Sequence, residues 1–511
     1  MLAAGASIDS LERDILALSD TLVVSKSEMD RSTYSADLWP RNFLKHEALE
    51  KPCLIVWPQT LDDLSHLLRF AARYSIPVVP YGGGSGVCGG IRPTKESIVL
   101  DLKRMRAVKT INKSALQVEV EAGCYGQELE NQLSAKGFTL GHFPSSISCS
   151  TVGGWLATRS AGQCSGRYGK IEDMVLGFQA IDGIGRNINV QHNTSSATLG
   201  PLLIGNEGTL CVFGEASLRI NPAPEHRRFA AFDFETIEDG TETIRRAFQA
   251  GLRPAVCRLY DPLDSAFAKR HLEHPEEAEA KVFQETRSGI LSPRHQLLYG
   301  HLLRYPKLLG MSRSIIESLA LFRPLLILVW EDNEAMAESE FRHFLGLAHE
   351  HGGDFLGERP AKHWFDHRHA VSFRQSPVMS AGAFVDTMEI AVGWSQLTES
   401  YYAVRRALSK HAFVMAHFSH AYPSGASIYF TFARHPGRNK DALSIYDNAW
   451  KSALDEVLRQ GGSVSHHHGI GRAKLEALGK DSANNFRTLR QLKRVFDPQG
   501  ILNPGALVPK D

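Results

Sequence analysis

The chain reads as an α+β protein, and three observations say so. Residues 53–57 (CLIVW), an amphipathic helical pattern from Leu61, and residues 77–81 (PVVPY) give a β-α-β opening. From about Arg227 strands alternate with helices and include a pair with antiparallel character, residues 413–418 and 426–433. Between these regions, residues 141–175 are rich in Ser, Gly and Thr and poor in core-forming residues. A stretch of that length without a core role, with little charge, reads as a binding segment.

A chain of 511 residues can bury the cores of two or three domains. Its 43% hydrophobic and 22% charged residues are those of an ordinary globular protein. A net charge of +1, with no basic stripe interleaved with aromatics, points away from nucleic acid. The apolar run at 324–330 (PLLILVW) is too short to cross a bilayer. The start, MLAAGASIDSLERDIL, lacks the basic n-region and apolar core of a secretory signal. Seven cysteines, an odd number with no CxxC, fit reduced and mostly buried thiols in a cytoplasmic protein.

Taken in order, residues 10–18 read as a short helix, followed by a polar loop to about Leu49. Thr60 caps a helix with Leu61, Leu64, Leu67 and Leu68 at helical spacing and Asp62 and Asp63 in its first turn. The glycine-rich loop and strands at 98–102 (IVLDL) and 116–121 (LQVEVE) follow, then a helix at 127–136. Ser150 or Thr151 would cap a short helix running through Ser160, whose start offers free N–H groups to an anion. Residues 181–190 read as a hairpin turning at Asp182-Gly183, and 202–213 lead through a glycine turn into a strand ending near Ile220. Asn221, Pro222 and Pro224 mark a boundary. Beyond it come strands at 229–234, 257–259, 325–330 and 384–392, and helices at 238–250, 333–350, 397–410 and 440–459. Helices on one face of an antiparallel sheet are expected. The polar stretch 263–323 reads as a cap or lid insertion. The domain expectation is a helical segment at 1–45, a cofactor domain at 46–222, a substrate domain at 223–462, and a closing segment at 463–511 that packs back on the cofactor domain.

Four features could carry chemistry. Residues 77–90 (PVVPYGGGSGVCGG) follow strand character with a run of glycines, which allow positive φ and close approach of a ligand to free N–H groups. The loop is a diphosphate cradle or else a sharp turn. Gly84, Gly86 and Gly89 match GxGxxG, but Gly90-Ile91-Arg92-Pro93 argues against a helix and so against a nicotinamide-type Rossmann site, and no Gly-Lys-Ser/Thr closes the loop as a Walker pattern needs. In residues 426–433 (ASIYFTFA), alternation puts Ile428, Phe430 and Phe432 on one face and Ser427, Tyr429 and Thr431 on the other. Tyr429 thus meets either a polar cavity or solvent. Residues 462–471 (GSVSHHHGIG) carry His466, His467 and His468; in a strand only the first and third share a face, and no HExxH or cysteine partner supports zinc. Histidine suits proton transfer or anion contact near neutral pH. Arg258 in an apolar strand and Arg374 in a helical run are either snorkelling surface residues or anion binders.

Together PYGGGSG, PSSISCSTVGGW with TRSAG, YGKIED, GNEGTL, SHHHGIG and FDPQGILNPG stand in the order seen in FAD-binding flavoenzymes of the vanillyl-alcohol-oxidase type. The resemblance covers about residues 53–508. Within that superfamily the chain most resembles the alkylglycerone-phosphate (alkyl-dihydroxyacetone-phosphate) synthases, through STVGGW, the triple histidine and GASIYF. FAD-linked D-2-hydroxyacid dehydrogenases usually have a glutamate before a single histidine, GEHGIG, where this chain has SHHHGIG.

The resemblance implies a two-subdomain FAD-binding PCMH-type domain plus an α+β cap domain with an antiparallel sheet. It places FAD contacts at Pro80, Tyr81, Gly82, Gly83, Gly84, Ser85 and Gly86. Further contacts are implied at Pro144, Ser145, Ser146, Ser150, Thr151 and Gly154, at Thr158, Ser160 and Ala161, and at Glu207, Gly208, Thr209 and Val212. Tyr429 is implied as the proton-transfer residue, Arg374 as a substrate contact, and Arg258 with His466, His467 and His468 as active-site residues. Relatives with covalent flavin often carry a histidine in the glycine loop; Ser85 and Gly86 stand there, so the FAD is expected to be noncovalent. The implied reaction replaces the acyl group of acyl-dihydroxyacetone phosphate by a fatty alcohol. The alternative is an FAD-linked dehydrogenase or oxidase of a 2-hydroxy acid or alcohol. Either takes a small-molecule lipid or hydroxy-acid substrate and is compatible with peripheral membrane contact and a homodimer. The chain departs from the peroxisomal synthases in lacking their N-terminal targeting extension and in ending VPKD, which is not a peroxisomal tripeptide.

Overall fold

The computed structural model describes residues 7–44, 49–273, 303, 323–369, 378–379, 382–437, 441–481 and 483–508. The chain divides into two compact units. One comprises Met1–Gly162, Tyr168–Ala223 and His467–Asp511; the other comprises Gln163–Arg167 and Pro224–His466. Most of the stretch 263–323, read above as an insertion, lies outside the described residues; its first turns form the helix Pro262–Glu273.

The first unit holds two main sheets. Strands β1 (Val23–Ser25), β2 (Leu54–Trp57), β3 (Val78–Tyr81) and β4 (Ile98–Asp101) lie in the order β1-β2-β4-β3, with β2 and β3 parallel to β4. Residues 54–56 and 98–100 are fully buried, as continuous apolar strands covered on both faces must be. The helix Leu61–Arg73 starts at the expected Thr60, whose hydroxyl and the Asp63 carboxylate form a capping box, and it buries Leu64, Leu67, Leu68 and Ala71. The segment read as a polar loop to Leu49 instead holds β1 and the short helices Glu28–Thr33 and Arg41–Leu44. A strand of three residues is too short to show a period, which is why the sequence hid it.

The second sheet of this unit is antiparallel. It consists of β5 (Val108–Asn112), β6 (Gln117–Glu121), β8 (Val175–Asp182), β9 (Asn187–Gln191) and β10 (Cys211–Arg219), in the order β5-β6-β10-β8-β9. The expected hairpin is β8–β9. A small ladder joins β7 (Phe138–Thr139) to β11 (Asn221–Pro222). The end of the chain is built in: Val78 N–H donates to the Ile501 carbonyl at 2.8 Å, and Asn503 N–H donates to the Val78 carbonyl at 2.8 Å.

Among its described residues the second unit forms one seven-stranded antiparallel sheet. Its strands are β12 (His226–Asp233), β13 (Val256–Tyr260), β14 (Leu325–Asp332), β15 (Asp354–Gly357), β16 (Phe384–Gly393), β17 (Phe413–Tyr422) and β18 (Gly425–Arg434), ordered β15-β12-β14-β13-β17-β18-β16. One face presents Phe232, Leu259, Phe418 and Phe430 to the helices Ile237–Gln249, Glu334–Glu350 and Leu397–Ser409. Phe232 lies 5.6 Å from Phe344, Tyr401 stacks on Phe430 at 6.3 Å, and Leu259 underlies Gly240. Helices on one face only is therefore a correction. Ala231, Tyr260, Leu325 and Ile327 on the opposite face pack with Ala361 of the helix Arg359–His367 and with Ala268. The apolar run of β14 is buried on both sides and needs two covers.

None of the seven cysteines forms a disulfide; six are buried and Cys149 is exposed. No helix among the described residues is long and apolar enough to cross a membrane.

Candidate active site

In the first unit, β3 runs straight into the glycine loop. A Cβ on Gly83 would stand 1.8 Å from the Cys149 carbonyl oxygen, and one on Gly82 would stand 2.4 Å from Thr151 Oγ1. Gly84, at φ +68°, would bring a Cβ within 2.0 Å of Tyr81 Oη. The loop is thus pressed against residues 149–151, and only glycine fits. The backbone N–H groups of Gly82, Gly83, Gly84, Ser85 and Gly86 have no hydrogen-bond partner among the described residues. Five successive amides left over in one loop make a concave site for an anion such as a diphosphate.

The neighbouring segments meet this loop. His142 is fully buried, lies 4.5 Å from the Trp155 ring, and has Nε2 3.2 Å from Ser160 Oγ. Burial pushes its pKa down to about 3, so it is neutral and structural. Glu207, at φ +51°, accepts hydrogen bonds from Ile470 N–H at 2.5 Å and Gly471 N–H at 2.8 Å. This ties GNEGTL to the glycines after the triple histidine. Burial raises the Glu207 pKa, and the two N–H donors oppose the rise. Asn503 Nδ2 donates to the carbonyls of Gly90 at 2.9 Å and Glu207 at 2.8 Å. A Cβ on Gly208 would meet Pro80 Cγ at 2.9 Å, so that turn backs the loop.

Thr151 is the cap of a helix, as the sequence suggests, but the helix is Val152–Thr158 and ends before Ser160. Its start offers no free donors. Val152 N–H goes to the Cys124 carbonyl at 3.0 Å, Gly153 N–H to Ala122 at 2.7 Å, and Gly154 N–H to Thr151 Oγ1 at 3.4 Å. The nearby strand-to-helix corner takes those amides first. Several side chains expected at the cofactor are satisfied locally: Ser150 Oγ accepts from Trp155 Nε1 at 2.8 Å, Thr158 Oγ1 donates to Gly154 O at 2.9 Å, and Thr209 Oγ1 donates to Asn206 O at 2.7 Å. Ala161 and Val212 are buried, Pro144 caps the 144–150 turn by accepting from Ile147 N–H, and Ser145 and Ser146 lie at its surface-facing edge.

In the second unit, a row crosses the sheet face opposite Phe430, the face that also carries the helices Pro262–Glu273 and Arg359–His367. Register sets Tyr260 opposite His417, His417 opposite Tyr429, and Tyr429 opposite Glu389. The His417 and Tyr429 rings stack at 4.8 Å with 19° between planes. Arg258, two residues before Tyr260 on the same face, places Nη2 2.7 Å from His417 Nε2 and 3.3 Å from Nδ1. Asp264 Oδ2 lies 3.2 Å from His417 Nδ1. Glu389 is buried and accepts from Ser465 Oγ at 2.9 Å and His466 N–H at 3.1 Å. His466 Nε2 is 3.2 Å from Tyr422 Oη, and its ring lies 5.3 Å from that of His420. His420, at φ +52° where β17 slips register, has Nδ1 2.7 Å from Ser165 Oγ.

The triple histidine forms bends rather than a strand, so the alternation that would pair His466 with His468 on one face does not apply. The boundary between units falls inside the run, His466 going with the second unit and His467 and His468 with the first. The His467 and His468 rings meet edge to face at 4.4 Å. Arg374 lies outside the described residues. Sequence reasoning missed His417, Asp264, Glu389 and His420. The first was within reach, because a hairpin folded about residue 423 sets His417 against Tyr429.

Burial pushes the Tyr429 phenol up to about 12, while the Thr387 hydrogen bond and Arg258 oppose the rise. Burial, then Arg258, holds His417 well below the ordinary imidazole value. Burial raises Asp264 to about 7 against the attraction of Arg258. A carboxyl raised in the folded state keeps a proton that the unfolded chain has already released. Its stability cost is absent below about pH 4, grows as pH rises, and is complete above about 7. Asp264→Asn should therefore gain melting temperature relative to the parent at about pH 8 and not at about pH 4. Paired thermal scans test this; an equal or larger gain at the acid end would sink it.

The first unit thus carries a nest of amides, and the second, taken by itself, a polar row of Arg, His and Tyr on a sheet face. A family model for the FAD binding domain matches residues 52–191, and one for the C-terminal domain of FAD linked oxidases matches residues 223–300 and 323–507. The chain belongs to the FAD-linked oxidase family, and its cofactor is FAD. The five unpartnered amides of residues 82–86 fit the diphosphate of that cofactor.

The chain is 27% identical over 472 residues to an alkyldihydroxyacetonephosphate synthase of Dictyostelium discoideum, covering 90% of this chain and 73% of the relative. It is 28% identical over 528 aligned residues to the uncharacterized FAD-linked oxidoreductase YgcU of Escherichia coli, covering 99% of each. Among solved structures, an alkyldihydroxyacetonephosphate synthase matches with a TM-score of 0.75 at 24% identity, over 98% of this chain and 85% of that one. p-Cresol methylhydroxylase with substrate bound matches at 0.73 and 14%, over 100% and 99%. Those likenesses place the fold in the PCMH type.

Proposed function

We propose that the protein is a flavoenzyme of the alkylglycerone-phosphate synthase kind, exchanging the acyl group of acyl-dihydroxyacetone phosphate for a fatty alcohol. The observation that carries this reading is the row Arg258–His417–Tyr429, a guanidinium and a phenol on one sheet face joined through an imidazole. A buried-edge arginine suits a phosphate or an enediolate oxygen. Tyr429 keeps its proton at rest, and Arg258 and Thr387 both weaken its hold on it, the direction a proton-transfer residue needs. His466, fixed by Glu389 and Tyr422, is a second donor for developing negative charge. Arg374 is assigned to the substrate. Residues 80–86, 144–146, 150, 151, 154, 158, 160, 161, 207–209 and 212 are assigned to FAD, bound without a covalent link. FAD, when bound, supplies an electron-accepting ring. The chain's own groups bind, orient and move the proton.

A second reading is an FAD-linked oxidoreductase of a 2-hydroxy acid or alcohol. The end-to-end likeness to YgcU favours it; the serine and histidines where a GEHGIG glutamate would stand do not. The deciding experiment is the visible spectrum of the purified protein with palmitoyl-dihydroxyacetone phosphate and hexadecanol, followed by product analysis. Ether product with the flavin returning to its oxidised spectrum is expected. Lasting anaerobic bleaching by a 2-hydroxy acid, without ether product, would replace the first reading by the second.

A further inference from the structure

Three side chains behind Tyr429 belong to no assigned role: Asp264, His417 and the unsatisfied part of Arg258. The Arg258 guanidinium lies 5.3 Å from the Tyr260 ring centre and 5.7 Å from that of Trp364. Its Nε is buried and, among the described residues, has no hydrogen-bond partner, and no carboxylate there lies within ion-pair distance of it. Its hydrogen-bond acceptor is the His417 ring. Arginine has donors only, so the nitrogen it faces must be bare. With Nη2 at 2.7 Å from Nε2, a neutral His417 carries its proton on Nδ1, and that proton points to Asp264 Oδ2 at 3.2 Å. The chemistry of the arginine thus dictates the tautomer, and the carboxylate is what the tautomer requires.

We propose that Asp264 and His417 are positioning residues: the carboxylate locks the imidazole as its Nδ1–H tautomer, and the bare Nε2 and flat face of that imidazole hold Arg258 and Tyr429 in one fixed arrangement for an anionic oxygen of the substrate. It rests on the reading of Arg258 and Tyr429 as substrate-side groups. The negative charge of Asp264 reaches Arg258 through the ring, so the guanidinium stays balanced yet keeps no direct ion pair that a phosphate or carboxylate would have to displace. Asp261, whose carboxylate caps the same helix start by accepting from Asp264 N–H at 2.8 Å, is engaged by Tyr401 and Ala416 and does not compete for the ring.

The test uses the flavin-loaded protein at about pH 8, where Asp264 is ionised. In protein labelled with nitrogen-15 histidine, the His417 signals are those missing from His417→Gln. They should show a neutral ring protonated at Nδ1; a proton on Nε2, or a charged ring, overturns the proposal. In turnover, His417→Leu should lose about 100-fold in kcat/KM through misplacement of both partners. His417→Gln should recover to within about tenfold of the parent, because its amide can accept from Arg258 and donate to Asp264. Leucine and glutamine behaving alike, with the flavin spectrum intact, overturns it as well. Full activity in Tyr429→Phe would instead remove the reading of the site while leaving the ring assignment standing.

Discussion

Tyr429→Phe should give a yellow, folded protein whose turnover falls by at least about 1,000-fold. The residue sits mid-strand in β18, flanked by the fully buried Ile428 and Phe430, so the fold does not depend on its hydroxyl. What the change removes is one oxygen, hydrogen-bonded to Thr387 and within the field of Arg258. The ring still stacks on His417, so neighbours stay in place. A loss confined to kcat, with flavin content and melting temperature near those of the parent, is the expected pattern. A variant that turns over at the parent rate takes the phenol out of the mechanism.

Gly83→Ala should give protein with little or no flavin. The added methyl would overlap a backbone carbonyl, that of Cys149 at 1.8 Å, and lies 3.1 Å from Ser150 Cα. Unlike a clash with a flexible side chain, this one moves main chain in two segments and opens the loop that presents the five amides. Overpacking of this kind costs about 1–3 kcal/mol and also spoils the anion site. The control is Gly346→Ala, inside the helix Glu334–Glu350 with open space around it, where about 1 kcal/mol of stabilisation is expected. The readout is visible absorbance relative to protein absorbance, with melting temperature. Parent-like flavin content in Gly83→Ala would refute the loop as a cofactor site.

The parts legible in the sequence share one property: their signal is local. The capping box at Thr60, the alternation that faces Tyr429 away from Phe430, and the glycine run at 82–86 each fit within a dozen residues. What stayed hidden depended on distant partners. The amides at the start of Val152–Thr158 looked free until Ala122 and Cys124 claimed them from an adjacent strand end. Glu389 sits in the middle of a strand and gains meaning only from Ser465 and His466, which return to it. Asp264 reads as an unremarkable helix-start acid until β17 brings His417 to it. The second cover on the seven-stranded sheet was announced by the unbroken apolar run of β14, a signal of burial on both faces.

Residues 467–508 close the first unit, with Ile501 and Asn503 laced to Val78 and with Ile470 and Gly471 satisfying Glu207. A ribosome makes those residues only after every strand of the second unit's sheet. While the second unit is being made, the amide loop has already emerged but these partners of Val78 and Glu207 have not, so the first unit is still incomplete. A chain stopped shortly before residue 467 should therefore carry every strand of both sheets of the first unit yet leave Val78 and Glu207 without these partners.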